Sequence, residues 1–171
     1  PQTQAPAPSA LDKIGALRVR ADAGDPAAQL NLGLVYAIGQ GVPRDYAEAA
    51  SWYRKAADQG NALAQLNLGW CYASGQGVPQ DSRQAAAWYR RAADQGEPTA
   101  QLKLGLLHAS GDGVPQDDAE AAAWFRKAAD QGDADRGIGR DLRREAGQGG
   151  PHLRVERVAL VGAVQPQVHD G

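Results

Sequence analysis

DPAAQLNLGLVYAIGQGVPRDYAEAASWYRKAADQG, residues 25–60, is followed without a break by NALAQLNLGWCYASGQGVPQDSRQAAAWYRRAADQG (61–96) and EPTAQLKLGLLHASGDGVPQDDAEAAAWFRKAADQG (97–132). The first two stretches agree at 24 of 36 positions without a gap, which duplication explains and chance does not. A period of this length is the signature of arrays in which a short unit buries its apolar face only against its neighbours. The repeat also accounts for an odd composition, with 21 glycines and four tryptophans against one phenylalanine in 171 residues. Apolar residues are 43% of the chain, charged residues 22%, and the formal net charge is −2. That balance fits a folded domain and gives no electrostatic footprint for nucleic acid. No apolar run approaches the roughly 18–20 residues of a membrane span. The one cysteine, Cys71, cannot form an internal disulfide, and three histidines do not make a structural zinc site.

Each copy reads as two helices. The first (helix A) opens at Asp25-Pro26, Asn61-Ala62 or Glu97-Pro98, an acceptor side chain followed in two copies by proline at the first helical position. It runs to about Ala37 and ends at Gly39, and at Gly75 and Gly111 in the other copies. The G-x-G-V-P-x-D loop then brings a proline that cannot continue a helix and an aspartate that can start one. Asp45, Asp81 and Asp117 are followed three residues later by Glu48, Gln84 and Glu120, the spacing of a capping box. The second helix (helix B) ends at Gly60, Gly96 and Gly132, which suit a left-handed C-terminal turn.

At 100° per residue, Ala28, Leu32, Gly33 and Tyr36 fall on one side of helix A, repeated as Ala64, Leu68, Gly69, Tyr72 and as Ala100, Leu104, Gly105, His108. On helix B the constant set is Ala49, Trp52, Tyr53, Ala56 and Ala57. Small residues let the helices approach closely and the aromatics fill the gap between repeats, so Trp52, Trp88 and Trp124 read as core. Arg54 and Lys55 should lie outward or bury only their stems.

The pattern A-Q-x-x-L-G-x-x-Y-x-x-G-x-G-V-P-x-D…A-x-x-W-Y-R-K-A-A-x-x-G, nearly complete in each copy, resembles the Sel1-like repeat family, relatives of the tetratricopeptide repeats. The resemblance covers residues 25–132. It implies an all-α fold, a right-handed α/α superhelix whose A helices line a concave face. It also implies a bacterial adaptor or scaffold that binds a protein partner. One branch of the family staples its repeats with disulfides, and this chain lacks the paired cysteines. His108 stands where the other copies have tyrosine, which weakens packing or marks an end of the array.

Helix A carries a second apolar line opposite its core side: Leu30 and Leu34, Leu66 and Trp70, Leu102 and Leu106. Ala27, Leu63 and Thr99 share that side, as do Ile38, Ser74 and Ser110. A helix apolar on two faces has more than one surface to cover. In tetratricopeptide-like geometry this line floors the concave groove. Positions that differ among copies fall near it: Asn31, Asn67 and Lys103, then Leu34, Trp70 and Leu106, then Ile38, Ser74 and Ser110. Variation inside a self-similar array marks what the scaffold does not dictate. A partner peptide is therefore expected on Leu30, Asn31, Leu34, Ile38, Leu66, Asn67, Trp70, Ser74, Leu102, Lys103 and Leu106, with Trp70 as anchor. The competing reading packs Leu30, Leu66 and Leu102 between adjacent A helices.

No catalytic constellation accompanies the repeats. The G-x-G loops follow helices and lack the Lys-Ser/Thr partner of a phosphate loop. Asp112 has no ladder of oxygen ligands after it, and His152 and His169 have no metal-ligand spacing. Cys71 reads as a small buried hydrophobe rather than a nucleophile. The expectation is a non-catalytic, monomeric adaptor with no cofactor, no metal and no membrane span. An envelope-associated binder of cell-wall or polysaccharide material, with Trp and Tyr stacking on sugars, is the alternative.

Outside the repeats, residues 1–9 read as a disordered Pro/Ala linker and 10–24 as a capping helix of B type, with Leu11, Ile14, Leu17 and Val19 apolar. A start in such a linker suits a mature exported protein or a fragment. Residues 133–171 open like a fourth copy at Asp133-Ala134 and then lose the pattern. A terminal cap and a product of a shifted reading frame both remain open for that tail, with little order expected beyond about 147.

Overall fold

The computed structural model describes residues 10–131, and among these the chain forms seven helices and no strand. They are α1 (Ala10–Asp22), α2 (Pro26–Ile38), α3 (Tyr46–Asp58), α4 (Ala62–Ser74), α5 (Ser82–Asp94), α6 (Pro98–Ser110) and α7 (Asp118–Asp130). The A helices are α2, α4 and α6; the B helices are α3, α5 and α7. Main contacts run between consecutive helices, closest within each hairpin, so the chain is a helical solenoid.

Local chemistry fixes each boundary. The Asp25 carboxylate accepts from the N–H groups of Ala27 and Ala28 at 2.9 and 3.1 Å, while Asn61 and Glu97 accept from Ala64 and Thr99. At the other end of helix A, Gly39, Gly75 and Gly111 take left-handed φ of 80°, 71° and 74°. Asp45, Asp81 and Asp117 cap the B helices through their side chains. The reciprocal half of the capping box is replaced, however. The Asp45 N–H donates to the Tyr36 carbonyl at 2.9 Å, and Asp81 and Asp117 treat Tyr72 and His108 alike. The loop thus satisfies a carbonyl in the last turn of helix A, one of the groups every helix end leaves open, so the cap N–H is not available to Glu48. At the end of α3 the N–H groups of Gly60 and Asn61 donate to Ala57 and Ala56, a two-bond closure that delivers the chain directly to the next cap.

Within a hairpin the B-helix ring lies flat on the A-helix backbone. A Cβ added at Gly33, Gly69 or Gly105 would sit 2.6–2.7 Å from ring carbons of Tyr53, Tyr89 or Phe125. Leu32, Leu68 and Leu104 are fully buried beside them. Between hairpins, Trp52 closes a cluster with Ala21, Ala28 and Leu32, and Trp88 and Trp124 occupy the equivalent places. Lys55, Arg91 and Lys127 are exposed but lay their cationic heads 3.6, 4.4 and 3.9 Å over those three rings.

Two polar ladders set the register between units. Gln29, Gln65 and Gln101 are buried and donate to the carbonyls of Ala21, Ala57 and Ala93 on the preceding B-type helix, each at 3.1 Å. Gln59 and Gln95 in turn donate to Gln29 and Gln65 at 2.7 Å. Outside, Arg18 donates to the Tyr36 hydroxyl at 3.1 Å, Arg54 to the Tyr72 hydroxyl, and Arg90 meets His108 Nε2 at 3.1 Å. His108 therefore keeps the inter-repeat pin of the tyrosine it replaces, although its buried Nδ1 has no partner.

Helix α1 lies in the register of a B helix, and it is polar where the others are not. Lys13 and Arg20 are exposed at the places that Ala49 and Ala56 bury completely. Arg20 instead grips Asp25 at 2.5 Å. That hydrogen bond, helped by the Ala28 N–H, holds the Asp25 carboxyl below the ordinary carboxylate range.

Candidate partner-binding face

The three A helices present a surface of unusual chemistry. Along α2, α4 and α6 there is no carboxylate, and Lys103 is the one permanent charge. Everything else outward on them is apolar or neutral. The centre is α4, where Leu63, Asn67, Trp70 and Ser74 recur at helical spacing along one stripe. Leu63 is 49% and Trp70 38% exposed, high values for side chains that gain from burial. The polar members of the stripe turn back on their own helix: Asn67 Nδ2 donates to the Leu63 carbonyl and Ser74 Oγ to the Trp70 carbonyl, both at 2.8 Å. Their hydrogen-bonding needs are partly met, which leaves the stripe apolar in character.

On α2, Asn31 and Ile38 are exposed, Ile38 at 70%, while Leu34 is half-buried against the core. On α6, Ser110 is exposed and Lys103 and Leu106 are half-buried. Leu66 and Leu102 are half-buried and pack onto neighbouring clusters. Leu30 departs from the expected surface line. It is only 8% exposed and belongs to the buried cluster of Ala50, Ala64 and Trp88. Its cluster joins residues of α3, α4 and α5, so it is core and no candidate for contact.

The structure adds two residues that sequence reasoning passed over. Tyr46, the first residue of α3, packs its ring 6.1 Å from that of Trp70, tilted by 54°. The Arg44 guanidinium lies 5.5 Å from the centre of the Tyr46 ring. A cation and two rings from consecutive repeats thus form one surface cluster. Gly77, with φ of 78°, makes it possible, because its backbone lies against the Tyr46 carbonyl with no room for a side chain. The signal was present in the sequence: Arg44 aligns with Gln80 and Gln116, and Tyr46 with Ser82 and Asp118. Those are again positions the repeat leaves free, but they sit just before the helix B cap and at the first residue of helix B, away from the A-helix line in any one-helix projection.

Cys71 lies on α4 beside this stripe but points inward and is fully buried. Burial pushes its thiol up to about 11, so it stays protonated near neutral pH. Among the described residues no His, Cys, Asp or Glu group is arranged to hold a metal ion, and no helix is long and apolar enough to cross a membrane.

Comparison with known families finds the Sel1 repeat three times in succession, at residues 26–61, 62–97 and 98–133. Comparison with curated proteins finds no match. Among solved structures, a Sel1 repeat protein from Oxalobacter formigenes is 39% identical with a TM-score of 0.68, over 77% of this chain and 98% of that one. A protective antigen present in uropathogenic Escherichia coli strains is 36% identical with a TM-score of 0.69 over 80% of this chain. The chain spans only 33% of that antigen's length. Cysteine-rich protein B of Helicobacter pylori, 20% identical with a TM-score of 0.61 over 76% of this chain and 96% of that one, shares the fold.

Proposed function

The chain belongs to the Sel1 repeat family, whose members are generally non-catalytic scaffolds for protein interaction, and from that premise we propose that it is an adaptor binding a partner peptide or protein along the outward face of its A helices. The observation that carries the proposal is the carboxylate-free stripe centred on Trp70, a large ring left 38% exposed while its three fellow tryptophans are buried at 5% or less. An exposed tryptophan in an apolar stripe is a usual anchor of a protein interface. On this proposal Asn31, Leu34, Ile38, Leu66, Asn67, Ser74, Leu102, Lys103 and Leu106 of the three A helices supply the further contacts, on the face that such arrays commonly curve into a binding surface.

The test is affinity capture from the native host with the full chain as bait, followed by titration of the captured partner. Trp70→Ala should weaken binding by roughly 30-fold or more, the scale of an anchor residue. Its thermal midpoint should stay close to that of the parent, because the ring is not core. Unchanged affinity in a folded Trp70→Ala protein refutes the assignment of this face.

A further inference from the structure

We propose that the partner segment is acidic: an extended peptide that sets an aliphatic or aromatic side chain against the Tyr46–Trp70 pair and an adjacent carboxylate on the Arg44 guanidinium. The inference rests on the A-helix face being the binding face, and it adds the chemistry of what binds there.

Three observations carry it. First, the face has no negative charge of its own, since α2, α4 and α6 contain neither aspartate nor glutamate, and Lys103 adds a cation on the α6 stripe. The chain as a whole is slightly acidic, so this is a local reversal of sign. Second, Arg44 is exposed and stacks on Tyr46, and among the described residues it meets no carboxylate at ion-pair distance. Its sequence neighbour Asp45 is occupied in capping α3, accepting from Ala47 and Glu48. The guanidinium keeps its fork of donors, and the ring beneath it limits its orientation, the arrangement that suits a bidentate carboxylate. Third, the apolar partner of that charge is adjacent and preformed: the two rings are already in contact at 6.1 Å. A ligand group seated there meets an aromatic surface and a cation within one side-chain length. Neutral and basic peptides would lack the second contact or be repelled by it.

The experiment is a selection from a random dodecapeptide library displayed on phage, against the immobilised full chain, with the winning peptides synthesised and titrated at two salt concentrations. The expected winners carry Asp or Glu next to Phe, Leu or Trp, bind more weakly at high salt, and lose about tenfold in affinity to Arg44→Glu. Arg44→Lys should recover part of that loss, since it restores the charge without the fork. Winners that are basic or uncharged, or acidic winners indifferent to Arg44→Glu, overturn the acidic assignment. If such peptides still lose affinity to Trp70→Ala, the A-helix face stands and only the charge chemistry falls. If they bind Trp70→Ala as well as the parent, or if the library yields no binder, the face itself falls too.

Discussion

Gly41, Gly77 and Gly113 occupy the same place in the three copies with nearly the same backbone, φ of 75°, 78° and 72°, yet they meet different neighbours. Replacing each in turn by alanine separates two costs that usually come together. All three variants force an L-residue into the left-handed region, about 1–2 kcal/mol, offset by about 0.4–1 kcal/mol through a stiffer unfolded chain. At Gly41 the new methyl would meet only Ile14 Cδ1, at 2.8 Å, the tip of a flexible side chain that can rotate away. At Gly77 it would fall on the Tyr46 carbonyl and 2.9 Å from the Ala47 nitrogen. Those are backbone atoms in the first turn of α3, held by the Asp45 cap, so the loop between α4 and α5 must move as a unit. Such overpacking adds about 1–3 kcal/mol. Gly77→Ala should therefore destabilise by about 2–4 kcal/mol and exceed Gly41→Ala by at least about 1 kcal/mol, with Gly113→Ala resembling Gly77→Ala. Urea unfolding followed by far-UV circular dichroism gives the midpoints, with a common slope checking that the transition is unchanged. Equal destabilisation by Gly41→Ala and Gly77→Ala would refute the reasoning, since the two then differ in nothing but an imagined clash.

The remaining predictions concern the ladders and the buried thiol. Gln65→Met keeps the volume but removes both rungs, the bond to Ala57 and the one from Gln95, and should cost about 1–3 kcal/mol in the same unfolding assay. His108→Tyr restores the hydroxyl that Arg18 and Arg54 find in the other copies and removes a buried Nδ1 without a partner, so a rise in midpoint equivalent to about 1 kcal/mol is expected. For Cys71 the folded pKa is raised by burial from 9.0 to about 11. The neutral thiol is the form the folded state prefers, so its contribution is complete below the unfolded pKa and is lost as pH rises from about 9 to about 11. Cys71→Ala should flatten the pH dependence of stability over that window, and parent Cys71 should react with Ellman's reagent at pH 8 only on the timescale of unfolding.

Scaffold and site differ sharply in how far the sequence alone dictates them. Caps such as Asp25 and Asp45, the left-handed Gly39 and Gly75, and the buried rows of Ala, Leu, Tyr and Trp follow from contacts within about five residues or from a 3.6-residue period, and the sequence displays both three times over. Repetition averages away local ambiguity, because a role read in one copy is checked in the next. The capping box was half right for an instructive reason. The spacing of Asp45 and Glu48 is local, but the Tyr36 carbonyl that takes the Asp45 N–H lies nine residues back, across a loop whose path no pattern encodes. The choice for Leu30 between groove lining and packing stays open in the sequence for the same reason in reverse, since a single-helix projection shows which side a residue faces and not what stands opposite.

The sequence by itself determined the helical hairpins, their number among the repeats, their caps and their internal core, since these depend on short-range sterics and hydrogen bonding. Only the tertiary structure decided which of the remaining apolar residues are left uncovered, how Gln29, Gln65 and Gln101 pin one unit to the last, and that Tyr46 of the first repeat, with Arg44 over its ring, meets Trp70 of the second. That last contact joins residues 24 positions apart through the close approach of Gly77 to Tyr46. Its existence depends on the angle at which one hairpin stacks on another, a quantity set by the packing of whole faces and carried by no single residue.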